Sequence, residues 1–404
     1  MLSFELNEDQ QLIVGTVSDF AKSTLSPRAR EHEKSGAVSP EVRTAVHEMG
    51  LGLAALPEAV GGQGLGLVTA ALINEELAYG DAAALFGLPA FGAFPLAAME
   101  LGNEAQQKEL LAPLADPASP HVFGAVAYSE KKAHRERPGL VTVAKKTKDG
   151  FELTGGKCFV GNAELADTFV VFAQVDEAAG WGGIGAFVVK KDNPGIRVTA
   201  RQRTLGLDCA SFGEVVLESA KVAAADRLLG QGDFSRDVIR FFVKYSLLVA
   251  ARQIGLARSA FDISREYCDM RKAFGKPIGH FQAVAFALAD RHMDNESARD
   301  MVRRAAWAWD TNREETSCLL YSARAIAQAH EAAMRASDDA VQLHGGAGFM
   351  RDVIVEKLMR DAKQIALAGL TAEQADQLAA AVELGVPLDP ALLLPTAETQ
   401  TVST

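Results

Sequence analysis

Residues 271–282 bring together groups suited to a phosphate-bearing ligand with a flat ring. Arg271 offers a planar, charged fork that matches a diphosphate. Phe274 can cover a flat ring, Gly275 lets the backbone come close, and Gln282 can donate to and accept from a purine or a sugar hydroxyl. Further on, Gln342 followed by Gly345 and Gly346 puts exposed backbone amides where a phosphate can bind. Each residue alone has a plainer reading: Arg271 as a surface arginine near a helix end, the glycines as a C-cap turn. His344, beside those glycines, is easily mistaken for a catalytic base. Trp307 and Trp309 lie two apart on a helix and cannot share a face, so neither reads as a ligand platform.

These groups need elements to hold them, and the hydrophobic pattern divides the chain into four. Residues 1–120 read as a helical domain. Asn7 and Gln10 form a capping box, and Ile13, Val17 and Phe20 recur at helical spacing. Further helices are expected at 40–50, 67–79, 81–101 and 103–113, with a Gly-rich turn after the first of these. Residues 121–232 carry short β-branched and aromatic runs separated by turn signals such as KDG and DNPG, which predicts an antiparallel β domain of six to eight strands. Residues 233–383 return to a helical pattern, a C-terminal bundle with helices at 281–309, 313–341, 352–367 and 371–383. Its stretch from Phe241 to Ala260 is apolar almost all round, the mark of a helix buried on several sides. Residues 384–404, with Pro387, Pro390 and Pro395, read as a loosely held tail. The fold class is α+β, in the order helices, β domain, helical bundle.

Composition narrows the function. The chain has 404 residues, 48% of them hydrophobic and 23% charged, as in a globular protein. A net charge of −11 opposes nucleic acid and anionic membranes as partners. No run reaches the ~18 apolar residues of a membrane span, and the acidic, polar first ten residues do not read as a targeting segment. Cys158, Cys209, Cys268 and Cys318 show no C-x-x-C or metal-ligand spacing and read as buried packing residues of a cytoplasmic protein.

The run from Arg271 to Gln282, then AVQLHGGAGFMRD from Ala340 to Asp352, then VEKLMRDAK to Lys363, resembles the C-terminal domain of the flavin-dependent acyl-CoA dehydrogenases. LTGGKCFVGNAELADTFVVFA resembles their middle domain, and the helical–β–helical order is also theirs. The resemblance reaches residue 375, and it implies that His344 is a packing and turn residue rather than a base. It implies FAD between two subunits, with the flavin ring on the β domain of one and the adenine–pyrophosphate end held largely by the other. It also implies an acyl thioester against the flavin, a carboxylate that removes the α-proton, and an electron-transfer flavoprotein as acceptor. On this resemblance Arg271, Phe274, Gly275, Gln282, Gln342, Gly345 and Gly346 are the groups one subunit lends to its neighbour's FAD.

The groups for the subunit's own flavin are changed. The family run Thr-Glu-Pro-x-Ala-Gly-Ser-Asp corresponds to Ser129-Glu130-Lys131-Lys132-Ala133-His134-Arg135-Glu136, and Trp-Ile-Thr corresponds to Phe159-Val160-Gly161. Ser129 keeps a hydroxyl and Phe159 can still stack, but Gly161 has lost one. Thr371 stays beside the phosphates, and Glu373 stands where glutamine is usual, a carboxylate that would repel them. Gly369 occupies the usual position of the catalytic glutamate, and Tyr245 the alternative position on the long helix. A phenol is a poor base at neutral pH. The resemblance therefore implies no catalytic residue of the usual kind.

Three functions fit these residues. The first is a non-catalytic subunit of a heteromeric dehydrogenase, two copies of each chain, that completes the FAD site of a homologous catalytic partner. The second is a self-sufficient enzyme with a displaced base: Glu130, Glu373 or Glu356. The third is a non-redox protein that binds an acyl-CoA or acyl-carrier thioester, in which the basic cluster of Lys131, Lys132, His134, Arg135 and Arg137 either meets a phosphate or forms a solvated loop.

Overall fold

The computed structural model describes residues 5–131, 138–230, 232–388 and 390. The N-terminal helices begin where the capping chemistry puts them. Helix α1 (Glu8–Phe20) starts at Asn7, whose Oδ1 accepts from the Gln10 amide at 2.8 Å while Gln10 Oε1 accepts from the Asn7 amide. The chain then continues through a π turn and a 3-10 turn into α2 (Ala29–Ser35), which stops at left-handed Gly36. Ser39 and Pro40 start α3 (Pro40–Glu48).

Helix α4 (Gly66–Phe86) runs through the break expected near residue 80, bent at Asp81 with φ −160° and ψ 98°. The helix expected over 81–101 is therefore corrected: α4 ends at Phe86, and a turn with Pro89, left-handed Ala90 and Gly92 separates it from α5 (Phe94–Leu101). Asn103 then caps α6 (Glu104–Ala115).

The β domain is one eight-stranded sheet of β1 (Phe123–Ala127), β2 (Val143–Lys146), β3 (Gly150–Val160), β4 (Ala166–Gln174), β5 (Ile184–Lys190), β6 (Ile196–Val198), β7 (Gly213–Ala223) and β8 (Arg227–Leu228). Its order is β6-β7-β3-β2-β4-β5-β8, with β1 beside β4. The expectation of an antiparallel sheet is corrected to a mixed one, because β1 lies parallel to β4 and β2 touches β4 in parallel at Val143 and Gln174. The reason is connectivity. β1 and β4 are separated by the β2–β3 hairpin, long enough to reverse the chain, whereas neighbours joined by tight turns such as KDG must run antiparallel. Residues alternate between two cores: Phe169 and Val171 pack within the β domain, and Phe172 points to the helices against Phe241 and Phe242.

Helix α7 (Phe234–Met270) spans about 55 Å at 1.5 Å per residue. It is buried almost throughout from Phe241 to Ala260, between α4 and the C-terminal helices of its own chain. The hairpin β9 (Lys272–Ala273) and β10 (Lys276–Pro277) leads to α8 (Gln282–Asp310), α9 (Glu315–Leu343), α10 (Val355–Ile365) and α11 (Ala372–Leu384). No described helix is long and apolar enough to cross a membrane. All four cysteines are free and buried. The expected tail beyond residue 390 lies outside the described residues.

A buried ionic cluster ties the domains together. Lys357 of α10 donates to Asp81 at the α4 bend (2.8 Å) and to Asp361 (2.7 Å), and Asp361 accepts from the Leu207 amide (2.8 Å). His32 and Cys209 lie beside Asp81, a donor set that could suit a metal ion, but the Lys357 ammonium already supplies the cation there.

Candidate active site

The cofactor-site candidates fall into two groups at opposite ends of α7. The first gathers where α7 stops. Arg271 caps the helix, exposed, and its carbonyl accepts from the Ile278 amide (2.8 Å) to close the hairpin. The hairpin turn is Phe274-Gly275, with φ of +50° and +82°, the two left-handed residues a tight turn with this twist requires. Phenylalanine is costly in that conformation, and here its ring is 97% exposed. Strain that presents an aromatic ring to solvent points to a binding role.

Gln282 opens α8 beside this turn, exposed. The end of α9 comes to the same place because the Tyr267 ring stacks on His344 at 4.2 Å. His344 is buried and its Nδ1 lies 2.7 Å from the Ala340 carbonyl, a packing role as expected. Gln342, Gly345 and Gly346 are exposed there, and a Cβ added at Gly275, Gly345 or Gly346 would meet nothing within 4 Å. This is an open cradle of backbone amides with one guanidinium.

The second group lies near the other end of α7, against the β domain. The Ser129 carbonyl accepts from the Cys158 amide (2.9 Å), which sets Ser129 beside Phe159. Phe159 is again a left-handed aromatic (φ +52°), 61% exposed. Gly161 follows with a half-open face, its nearest neighbour Phe212 at 3.7 Å from an added Cβ. Tyr128 packs edge-on against Phe242, and Tyr245 lies buried one turn on. Burial pushes both phenols up, so neither is a base near neutral pH.

Gly369 sits at φ +71°, and a Cβ there would lie 2.5 Å from Ser246 Oγ. Ser246 cannot easily yield, since it donates to the Phe242 carbonyl (2.7 Å) and accepts from the Leu370 amide (2.8 Å). The local packing is thus built around glycine. Thr371 caps α11, and exposed Glu373 stands in its first turn. Its carboxyl is held below the usual range by hydrogen bonds at the helix start, which keeps it charged near neutral pH. Both residues line a groove of about 880 Å³ with His330, Gln364 and Leu367.

The other carboxylates considered as bases are engaged. Glu356 is held by Arg30 (2.6 Å) and Arg360 (2.8 Å). Glu130 accepts from the Val141 amide (2.7 Å), the Thr142 amide (2.8 Å) and the buried Lys157 ammonium (2.8 Å). Burial pushes the Glu130 carboxyl up, but Lys157 and the amides outweigh it and hold it below its ordinary value. A depressed carboxyl stabilises the fold above its unfolded pKa, and that contribution is lost as pH falls through the folded value. Glu130→Gln should therefore cost about 3 kcal/mol near neutral pH, with the deficit closing below about pH 4 in denaturation curves. A flat deficit across that range would contradict the ion pair. Residues 132–137, including Arg135 and most of the basic cluster, lie outside the described residues.

Sequence reasoning missed Arg252, which is fully buried in α7. The available signal was a cation directly after Leu247-Leu248-Val249-Ala250-Ala251, the longest uncharged apolar stretch between Lys244 and Arg258.

The chain matches the models of the acyl-CoA dehydrogenase N-terminal domain over residues 7–117, the middle domain over 125–220 and the C-terminal domain over 237–382. It is 35% identical over 379 residues to the probable acyl-CoA dehydrogenase YngJ of Bacillus subtilis (strain 168), covering 92% of this chain and 97% of that protein. The butyryl-CoA dehydrogenase of Megasphaera elsdenii superposes with a TM-score of 0.85 at 30% identity, covering 95% of this chain and all of that one. The FAD complex of PigA shares the fold at 22% identity and a TM-score of 0.86, over 95% of this chain and 100% of that one. Three consecutive domain matches, a relative aligned from end to end and the helical–β–helical order place this chain in the acyl-CoA dehydrogenase family.

Proposed function

We propose that this chain is the non-catalytic subunit of a heteromeric acyl-CoA dehydrogenase, two copies of each chain, which completes the FAD site of a homologous partner. The contrast between the residues at the two ends of α7 carries the reading. Tyr245 and Arg271 lie 26 residues apart on one helix, about 39 Å. That is beyond the reach of a single dinucleotide, so the two groups belong to different cofactor molecules. The end facing outward is the one that fits FAD: an arginine, an exposed aromatic and three glycines open to solvent. The end facing this chain's own cleft has Gly369 for a base, Gly161 for a hydroxyl and an ionised Glu373.

Exposed Phe274, Phe286, Met293, Phe349 and Met350 on the C-terminal helices and loops add an apolar surface suited to a second chain. Bound FAD would accept the β-hydrogen as hydride in the α,β-dehydrogenation of an acyl thioester, and the partner would supply the carboxylate. This chain's part is to orient the phosphates through Arg271 and the Gly345-Gly346 amides, and to shield the ring edge with Phe274. An electron-transfer flavoprotein and a cytoplasmic setting complete the proposal by resemblance.

Flavin content tests it. The chain purified alone should be colourless. Co-expressed with a homologous dehydrogenase chain, it should yield one FAD per pair of chains, reduced by an acyl-CoA. One FAD per subunit in the chain alone would overturn the reading. It would favour the self-sufficient enzyme, for which the exposed and strained Phe159 speaks.

A further inference from the structure

Three cations of the described chain are almost wholly buried: Lys157, Lys357 and Arg252. Lys157 is matched by Glu130, and Lys357 by Asp81 and Asp361. Arg252 has no carboxylate among the described residues. Its Nε donates to Asn74 Oδ1 (2.8 Å) and its Nη2 to the Phe91 carbonyl (2.6 Å), both neutral acceptors, while Nη1 is buried without a partner. Burial pulls the guanidinium down to about 10, the direction expected of a cation that lacks a counter-charge. Stacking on the Phe86 ring at 4.8 Å offsets part of that cost but supplies no anion.

Tyr245, Leu248 and Arg252 share one face of α7 at helical spacing, and Arg252 lies about 10 Å along the axis from Tyr245. Tyr245 marks the reacting end of the cleft, because Gly369 and Leu370 pack on its neighbour Ser246. Beside Arg252, Leu248, Leu96, Asn74 and Phe91 enclose a cavity of about 30 Å³, room for one small polar group. Left-handed Ala90, on the turn between α4 and α5, helps aim the Phe91 carbonyl at the guanidinium. Leu248 lines this cavity and stands between Tyr245 and Arg252, so an acyl chain reaching Nη1 from the Tyr245 end would have to move the Leu248 side chain aside.

We propose that Arg252 recognises a carboxylate at the far end of a short acyl group, so that the cleft of this chain selects ω-carboxyacyl thioesters over neutral ones of equal length. This rests on the third function named above, in which the chain's own cleft holds an acyl thioester without redox chemistry, a capacity that a non-catalytic subunit can retain. A fork of guanidinium donors matches a carboxylate, and a partner that remains uncompensated in the free protein is satisfied when the ligand arrives.

The test compares two five-carbon probes, glutaryl-CoA and pentanoyl-CoA, by calorimetric titration of the full-length chain. The expected result is at least tenfold tighter binding of glutaryl-CoA. That preference should vanish in Arg252→Met and survive in part in Arg252→Lys. Equal affinity of the wild-type chain for the two probes overturns the proposal without any variant, so it holds even if Arg252→Met fails to fold. A preference that persists in a folded Arg252→Met also overturns it. Binding of pentanoyl-CoA without preference leaves the thioester reading standing, whereas binding of neither probe overturns both.

Discussion

Replacing Lys357 by methionine is expected to destabilise the protein by about 3–5 kcal/mol near neutral pH, the cost of breaking a buried ion pair from one side. The ammonium lies between Asp81 and Asp361, and all three side chains are buried. Burial pushes the Asp81 carboxyl up, but Lys357 and His32 outweigh it and hold it below the usual carboxylate range. Asp361 shifts the other way, since burial outweighs its share of the same ammonium. One cation thus serves two carboxylates, and His32 helps on the Asp81 side only. Without Lys357, both carboxyls would be pushed up. The folded variant would then take up protons before the unfolded chain does, so its stability should rise as pH falls from neutral. In the wild type, the Asp81 carboxyl stays charged down to its depressed value and gains no stability on the way. The deficit should therefore shrink between about pH 7 and pH 4.5. Urea and thermal midpoints at the two pH values measure it, and a loss under about 1 kcal/mol at pH 7 would show that the carboxylates do not depend on Lys357.

Much of the architecture was legible because its causes are local. The capping box at Asn7 and Gln10, the KDG turn between β2 and β3, and the apolar run inside α7 each need only neighbouring residues. What escaped depends on distant partners. The Asp81 bend is stabilised by Lys357, 276 residues away, and nothing near Asp81 announces it. Parallel pairing of β1 with β4 follows from the route of the chain through the intervening hairpin, which alternation along either strand does not encode. At the site, the residue types of the Arg271–Gln282 run were readable, but the strained exposure of Phe274 and Phe159 was not. The placement of the two groups at opposite ends of one helix likewise required the length and path of α7.

That placement makes the last prediction sharp. In the complex with a catalytic partner, Arg271→Gln should weaken FAD binding roughly tenfold to a hundredfold, the range for losing about 1.5–3 kcal/mol of charge-assisted hydrogen bonding to a phosphate. Arg271 is exposed and no described carboxylate pairs with it, so the melting behaviour of the chain itself should hardly change. Arg271→Lys should recover part of the affinity, because it keeps the charge but not the planar fork. Saturating FAD should restore turnover in both variants, since the reacting groups would remain in place on the partner. The companion substitution Phe159→Ala, on the face toward this chain's own cleft, should leave FAD content and turnover of the complex unaltered. If Phe159→Ala strips the flavin while Arg271→Gln does not, the cofactor sits in this chain's own cleft and the division of labour is reversed. If both strip it, each chain holds a flavin of its own and the two ends of α7 serve equivalent sites, as in a homomeric enzyme.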